Sequence, residues 1–96
     1  MKRMLRITVD KKEYDIALIP VDSGITKEPH HICAYVILKG KRIKEYMDLD
    51  CCTYKEGYVY GIDTAHFDNM KMTIEEKEID AIKQIKLLIK SYNNKS

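Results

Sequence analysis

The chain has 96 residues, 45% of them hydrophobic and 33% charged, with a formal net charge of +2. That length supports one core, so a single domain is expected over 1–96, and the composition excludes disorder. The near-balanced charge gives no bulk case for nucleic-acid or membrane binding. No apolar run approaches the roughly 20 residues that cross a bilayer. The basic start Met1-Lys-Arg-Met-Leu-Arg6 lacks the apolar stretch of a signal peptide, and three cysteines are an awkward count for a secreted disulfide scaffold. A cytoplasmic protein is the expectation.

Met4 to Val9 alternates, with Leu5, Ile7 and Val9 on one side and Arg6 and Thr8 on the other, the period of a half-buried strand. Asp10-Lys11-Lys12-Glu13 reads as a polar turn. Tyr14 to Ile19 alternates again and completes an opening hairpin. Pro20, which cannot donate to a ladder, should end that strand. Val21 to His31, with Gly24 and Pro29, then reads as a long loop. Ile32 to Leu38 is almost wholly apolar and predicts a central strand covered on both faces.

Lys39-Gly40-Lys41-Arg42 is a turn, and an irregular strand is expected near Leu49 to Tyr54. After the Glu56-Gly57 turn signal, Tyr58 to Ile62 is a strand of β-formers. Its Gly61 leaves room for another backbone or a ligand. Asp63 to Met72 reads as a loop. Thr73-Ile74-Glu75-Glu76 is a capping box that opens a helix. Ile74, Ala81, Ile82, Ile85, Leu88, Ile89 and Tyr92 share one stripe of that helix, with Leu87 on the opposite, lysine-bearing face. Residues 93–96 read as a frayed tail. The predicted fold is α+β: an antiparallel sheet of four to five strands packed against one C-terminal amphipathic helix.

The chemistry-bearing residues gather in Gly57 to Asn69. Asp63 ends a strand, and a loop then presents His66 and Asp68. A carboxylate three residues from an imidazole can orient it as a base, a ligand or a hydrogen-bonding group. The plainer reading has Asp63 capping the turn and His66 packed in the loop. His30 and His31 would make a three-histidine site with His66 only if the fold joined them, and surface polarity is the favoured reading. Tyr58 and Tyr60, two apart on one strand, could stack on a base. Lys39, Lys41, Arg42 and Lys44, with Lys2, Arg3 and Arg6, could meet phosphate. Cys33 reads as a buried small hydrophobe. Cys51 and Cys52 should divide between a buried and an exposed side. No C-x-x-C spacing is present, and neither a metal nor a cofactor is expected.

Gly61-Ile62-Asp63-Thr64-Ala65-His66 resembles a segment of a family of small, mostly uncharacterised proteins of phages and prophages of Gram-positive bacteria. In that family the segment runs Gly-Phe-Asp-Cys/Thr-Ala-His-x-Gly-Asp and precedes a C-terminal helix. His31-Ile32-Cys33-Ala34-Tyr35-Val36 is similar to the family's His-x-Cys-Gly-Tyr-Val. Thr53-Tyr54 is similar to the end of its His-Gly-Gly-x-Thr-Tyr. Leu49-Asp50-Cys51 replaces that His-Gly-Gly, and Asp68-Asn69 replaces the final Gly-Asp.

The resemblance implies a phage or prophage accessory protein in a bacterial cytoplasm, and the lost histidine shifts weight from catalysis to binding. The expected partner is a nucleotide signal or a host defence protein. The nucleotide would be met by Asp63, His66, Asp68, Tyr58, Tyr60, Thr53, His31 and Arg42. Two other readings stand beside it: a small Asp63/His66 hydrolase, perhaps with a metal and His31, and a homodimer using Leu87 or the Met4 to Val9 edge.

Overall fold

The computed structural model describes residues 3–22, 29–40, 43, 45, 49–64 and 73–94. Five strands, β1 (Arg3–Val9), β2 (Lys12–Asp22), β3 (Pro29–Ile37), β4 (Tyr54–Glu56) and β5 (Val59–Asp63), precede one helix, α1 (Ile74–Asn93). The sheet is antiparallel throughout, in the order β1-β2-β3-β5-β4. The β4–β5 hairpin therefore docks through its second strand, so that β5 lies between β3 and β4.

The first hairpin closes on Asp10 and Lys11, at φ 51 and 68. Positive φ at both central residues is the signature of the tight turn whose twist suits a two-residue hairpin. β2 does not stop at Pro20, as expected from sequence, but continues to Asp22. Pairing with β1 ends at the Arg3–Leu18 pair. Among the described residues Pro20 thus has a strand neighbour on one side only, the edge-like setting in which a strand tolerates proline.

Alternation sends one set of side chains under the helix: Ile7, Val9, Ile16, Leu18, Ile32, Ala34, Val36, Tyr60 and Ile62, all buried. α1 closes this layer with Ala81, Ile85, Leu88, Ile89 and Tyr92. Burying each of the valine, leucine and isoleucine side chains among these is worth about 1.5–3 kcal/mol, before conformational entropy is subtracted. The capping box forms as its spacing predicts: Thr73 Oγ1 accepts from the Glu76 N–H at 3.2 Å, and Glu76 Oε1 accepts from the Thr73 N–H at 3.4 Å.

The helix runs through Asn93, where a frayed tail was expected. Asn93 Nδ2 donates to Asp10 Oδ2 at 3.1 Å and to the Tyr14 hydroxyl at 3.3 Å. These bonds hold the last turn of α1 against the first hairpin.

Among the described residues no helix or strand covers the other face of the sheet. β3 is central in the strand order, and among the described residues only one of its faces lies under the helix, whereas cover on both faces is expected from its apolar run. Its odd positions His31, Cys33, Tyr35 and Ile37 point to the second face, and Ile37 is 58% exposed there. Of the irregular strand expected over Leu49 to Tyr54, only Tyr54 joins a strand, while residues 49–51 form a turn with Cys51 at φ 63. Cys52 is buried and Cys51 exposed, the division expected of the pair.

Candidate functional site

The second face carries a cluster of chemically active groups at the start of β3 and the end of β5. The Thr64 N–H donates to the Ile32 carbonyl at 3.0 Å, and the Leu38 N–H to the Tyr58 carbonyl at 2.9 Å. Even-numbered positions of β3 are therefore the ones hydrogen-bonded towards β5. Cys33 and Asp63, directly opposite each other, form a non-hydrogen-bonded pair. In that geometry the Cα atoms lie about 4.5 Å apart and the side chains are closest. His31, two residues before Cys33, leans onto the same carboxylate, with its Nε2 3.5 Å from Asp63 Oδ1.

A donor atom from each of His31, Cys33 and Asp63 lies within 4.8 Å of the other two. The three side chains are only partly accessible: His31 19% and Asp63 37% by side chain, Cys33 8% by residue. His31 is thus a semi-buried partner of Asp63, not the surface histidine that a paired loop histidine suggested.

Thr64 locks this corner. It is fully buried, and its Oγ1 accepts from the Ile32 N–H at 2.8 Å while donating to the Ile32 carbonyl at 2.9 Å. The side chain supplies rungs of the ladder at the point where β5 ends. Ile32 lies between His31 and Cys33, so the bonds that hold Ile32 also fix how both neighbours meet Asp63. A polar residue beside Asp63 in a glycine-led strand was visible in sequence. Its inward direction was not.

Next along the face, Tyr35 and Tyr54 flank Gly61, which is paired with both. Their rings meet edge to face, with centroids 5.5 Å apart. A Cβ on Gly61 would lie 2.7 Å from the Tyr35 ring. The space expected at this glycine for a backbone or a ligand is occupied by an aromatic ring. Burial pushes the Cys33 thiol up; the charge of Asp63 adds to this, and a hydrogen bond with Tyr35 opposes it. Burial, then the neighbouring Cys33, push the Tyr35 phenol up to about 12.

The other expected site residues are dispersed. Tyr60 is 1% exposed and packs under the helix with its ring centroid 5.9 Å from that of Tyr92, so it offers no face to a base. Tyr58 falls in the β4–β5 turn, exposed, and shares no strand face with Tyr60. Thr53 donates its N–H to the Gly61 carbonyl at 2.9 Å. It lines a separate groove of about 510 Å³ with Cys51, Asp80, Lys83 and Leu87.

His66, Asp68 and Arg42 lie outside the described residues, so the expected Asp63–His66 convergence does too. Of the basic patch, Arg3 is paired with Glu78 at 3.0 Å and Arg6 with Asp15 at 3.0 Å.

No helix among the described residues is long and apolar enough to cross a membrane. Comparison of the chain with protein-family models, with curated proteins and with solved structures returned no match.

Proposed function

We propose that the protein acts by binding, and that its ligand docks on the second sheet face at the corner made by His31, Cys33 and Asp63. The observation that carries this reading is the 3.5 Å approach of His31 to Asp63 from two different strands, beside the Tyr35–Tyr54 ring pair on the same face. An imidazole and a carboxylate together can donate to and accept from ribose hydroxyls or base edges. The exposed Tyr54 ring offers a π-face for stacking. His31 to Tyr35 spans about 13 Å of strand, the scale of a nucleotide.

The resemblance of residues 61–66 to phage and prophage proteins supplies the biological side of the proposal. The protein would be an accessory factor in a bacterial cytoplasm that blunts a defence system by sequestering a nucleotide signal. A thiol pushed up by burial is a poor nucleophile at neutral pH, which favours binding over Cys33-based covalent catalysis.

The test is isothermal titration of the protein, in chelator-treated buffer, with cyclic and ADP-ribose-type nucleotides. Saturable binding to one of them, weakened at least tenfold by Asp63→Ala, is the expected result. A panel without heat from any member sinks the nucleotide reading.

A further inference from the structure

We propose that His31, Cys33 and Asp63 form a binding site for a divalent transition metal of the zinc class. The proposal concerns the same corner and rests on the reading above only in taking that corner for a site. It does not need the ligand to be a nucleotide.

The geometry carries it. Zinc is held by imidazole nitrogen and carboxylate oxygen at about 2.0–2.2 Å and by thiolate sulfur at about 2.3 Å, so ligand atoms around a tetrahedral ion lie roughly 3.4–3.7 Å apart. His31 Nε2 and Asp63 Oδ1, at 3.5 Å, already stand at that separation. One donor atom from each of the three residues, the Cys33 sulfur included, lies within 4.8 Å of the other two, close to the spacing around a tetrahedral ion.

The backbone makes the arrangement rigid. Two ligands come from one strand at alternate positions. The third is the direct cross-strand partner of the second, in the non-hydrogen-bonded register that brings side chains together. Thr64 fixes the two strands at this point through its paired bonds to Ile32.

The donor set also selects the ion. A thiol, an imidazole and one carboxylate form a borderline-soft set that suits zinc or cobalt and does not suit magnesium or calcium, which take oxygen ligands. Three protein ligands leave one tetrahedral position open, as in zinc sites that take up water or an exogenous donor. On binding, the Cys33 thiol gives up its proton to solvent as the metal–sulfur bond forms. The imidazole and the carboxylate donate lone pairs, and no electrons are exchanged.

The test is titration of the metal-free protein with Co²⁺, read as the near-ultraviolet thiolate-to-cobalt band, and with Zn²⁺, read by calorimetry. We expect one ion per chain, a thiolate band that Zn²⁺ bleaches and Mg²⁺ does not, and an unchanged band in Cys51→Ser. Cys33→Ser should abolish the band. Asp63→Asn and His31→Ala should each weaken Zn²⁺ binding by more than the roughly ten- to hundredfold that loss of an outer-shell partner costs. Absence of the band in the folded wild-type protein overturns the proposal, whatever the variants do. A band that survives Cys33→Ser also overturns it, by moving the thiolate elsewhere. Because nucleotides are titrated without metal and the metals without nucleotide, failure of one reading leaves the other standing.

Discussion

Thr64 and Ile32 are joined twice through one hydroxyl, with Thr64 Oγ1 accepting from the Ile32 N–H and donating to its carbonyl. Replacing Thr64 by valine keeps the shape and removes both bonds. The Ile32 carbonyl retains the Thr64 N–H, but its own N–H is left buried without that acceptor. Thr64→Val should therefore cost roughly 1–3 kcal/mol in urea denaturation, whereas Thr64→Ser, which keeps the hydroxyl, should stay closer to wild type.

Gly61 carries the Tyr35 ring, so an added methyl group must displace it. Gly61→Ala is expected to cost about 1–3 kcal/mol, as overpacking does in other well-filled sites. The near-ultraviolet circular dichroism of the tyrosines should change as the Tyr35–Tyr54 contact opens. An unchanged spectrum with unchanged stability would mean that Tyr35 does not rest on Gly61.

Tyr35 also sets a pH dependence. Its phenol is moved from the ordinary value of 10.0 to about 12, chiefly by burial. In the unfolded chain it ionises near 10, so between about 10 and 12 the folded state holds the extra proton. The stabilisation is fully present below pH 10 and is lost as pH rises through that window. Melting temperatures measured from pH 9 to 12 should fall less steeply for Tyr35→Phe than for the wild type.

The parts of the fold legible in the sequence were those written in local periodicity. Leu5, Ile7 and Val9 identified a strand and its buried side, and Thr73 with Glu76 identified the first turn of the helix. Neither depends on what lies far away in the chain. The His31–Asp63 contact depends on strand order. It exists because β5, not β4, lies beside β3, and because the register sets Cys33 opposite Asp63. No spacing in the sequence encodes that choice. Tyr60 illustrates the same limit from the other side. Its β-propensity was plain, but the face it occupies follows from where the β4–β5 turn ends, and that turn takes Tyr58 out of the strand. Pro20 does not end β2 because its effect depends on whether a neighbour strand reaches that far, and among the described residues β1 pairs no further than Leu18.

The bond between Asn93 and Asp10 has a practical reach. Asp10 sits at the turn where β1 meets β2, and β2 runs from there to Val21, the cross-strand neighbour of His31. At about 3.3 Å per residue the two places stand roughly 30 Å apart. A fluorophore, affinity handle or surface tether appended after Asn94 would emerge at the opposite pole of the domain from the histidine–carboxylate corner. Immobilising the protein in that way presents the corner outward, which suits surface-based tests of the proposed nucleotide and metal ligands.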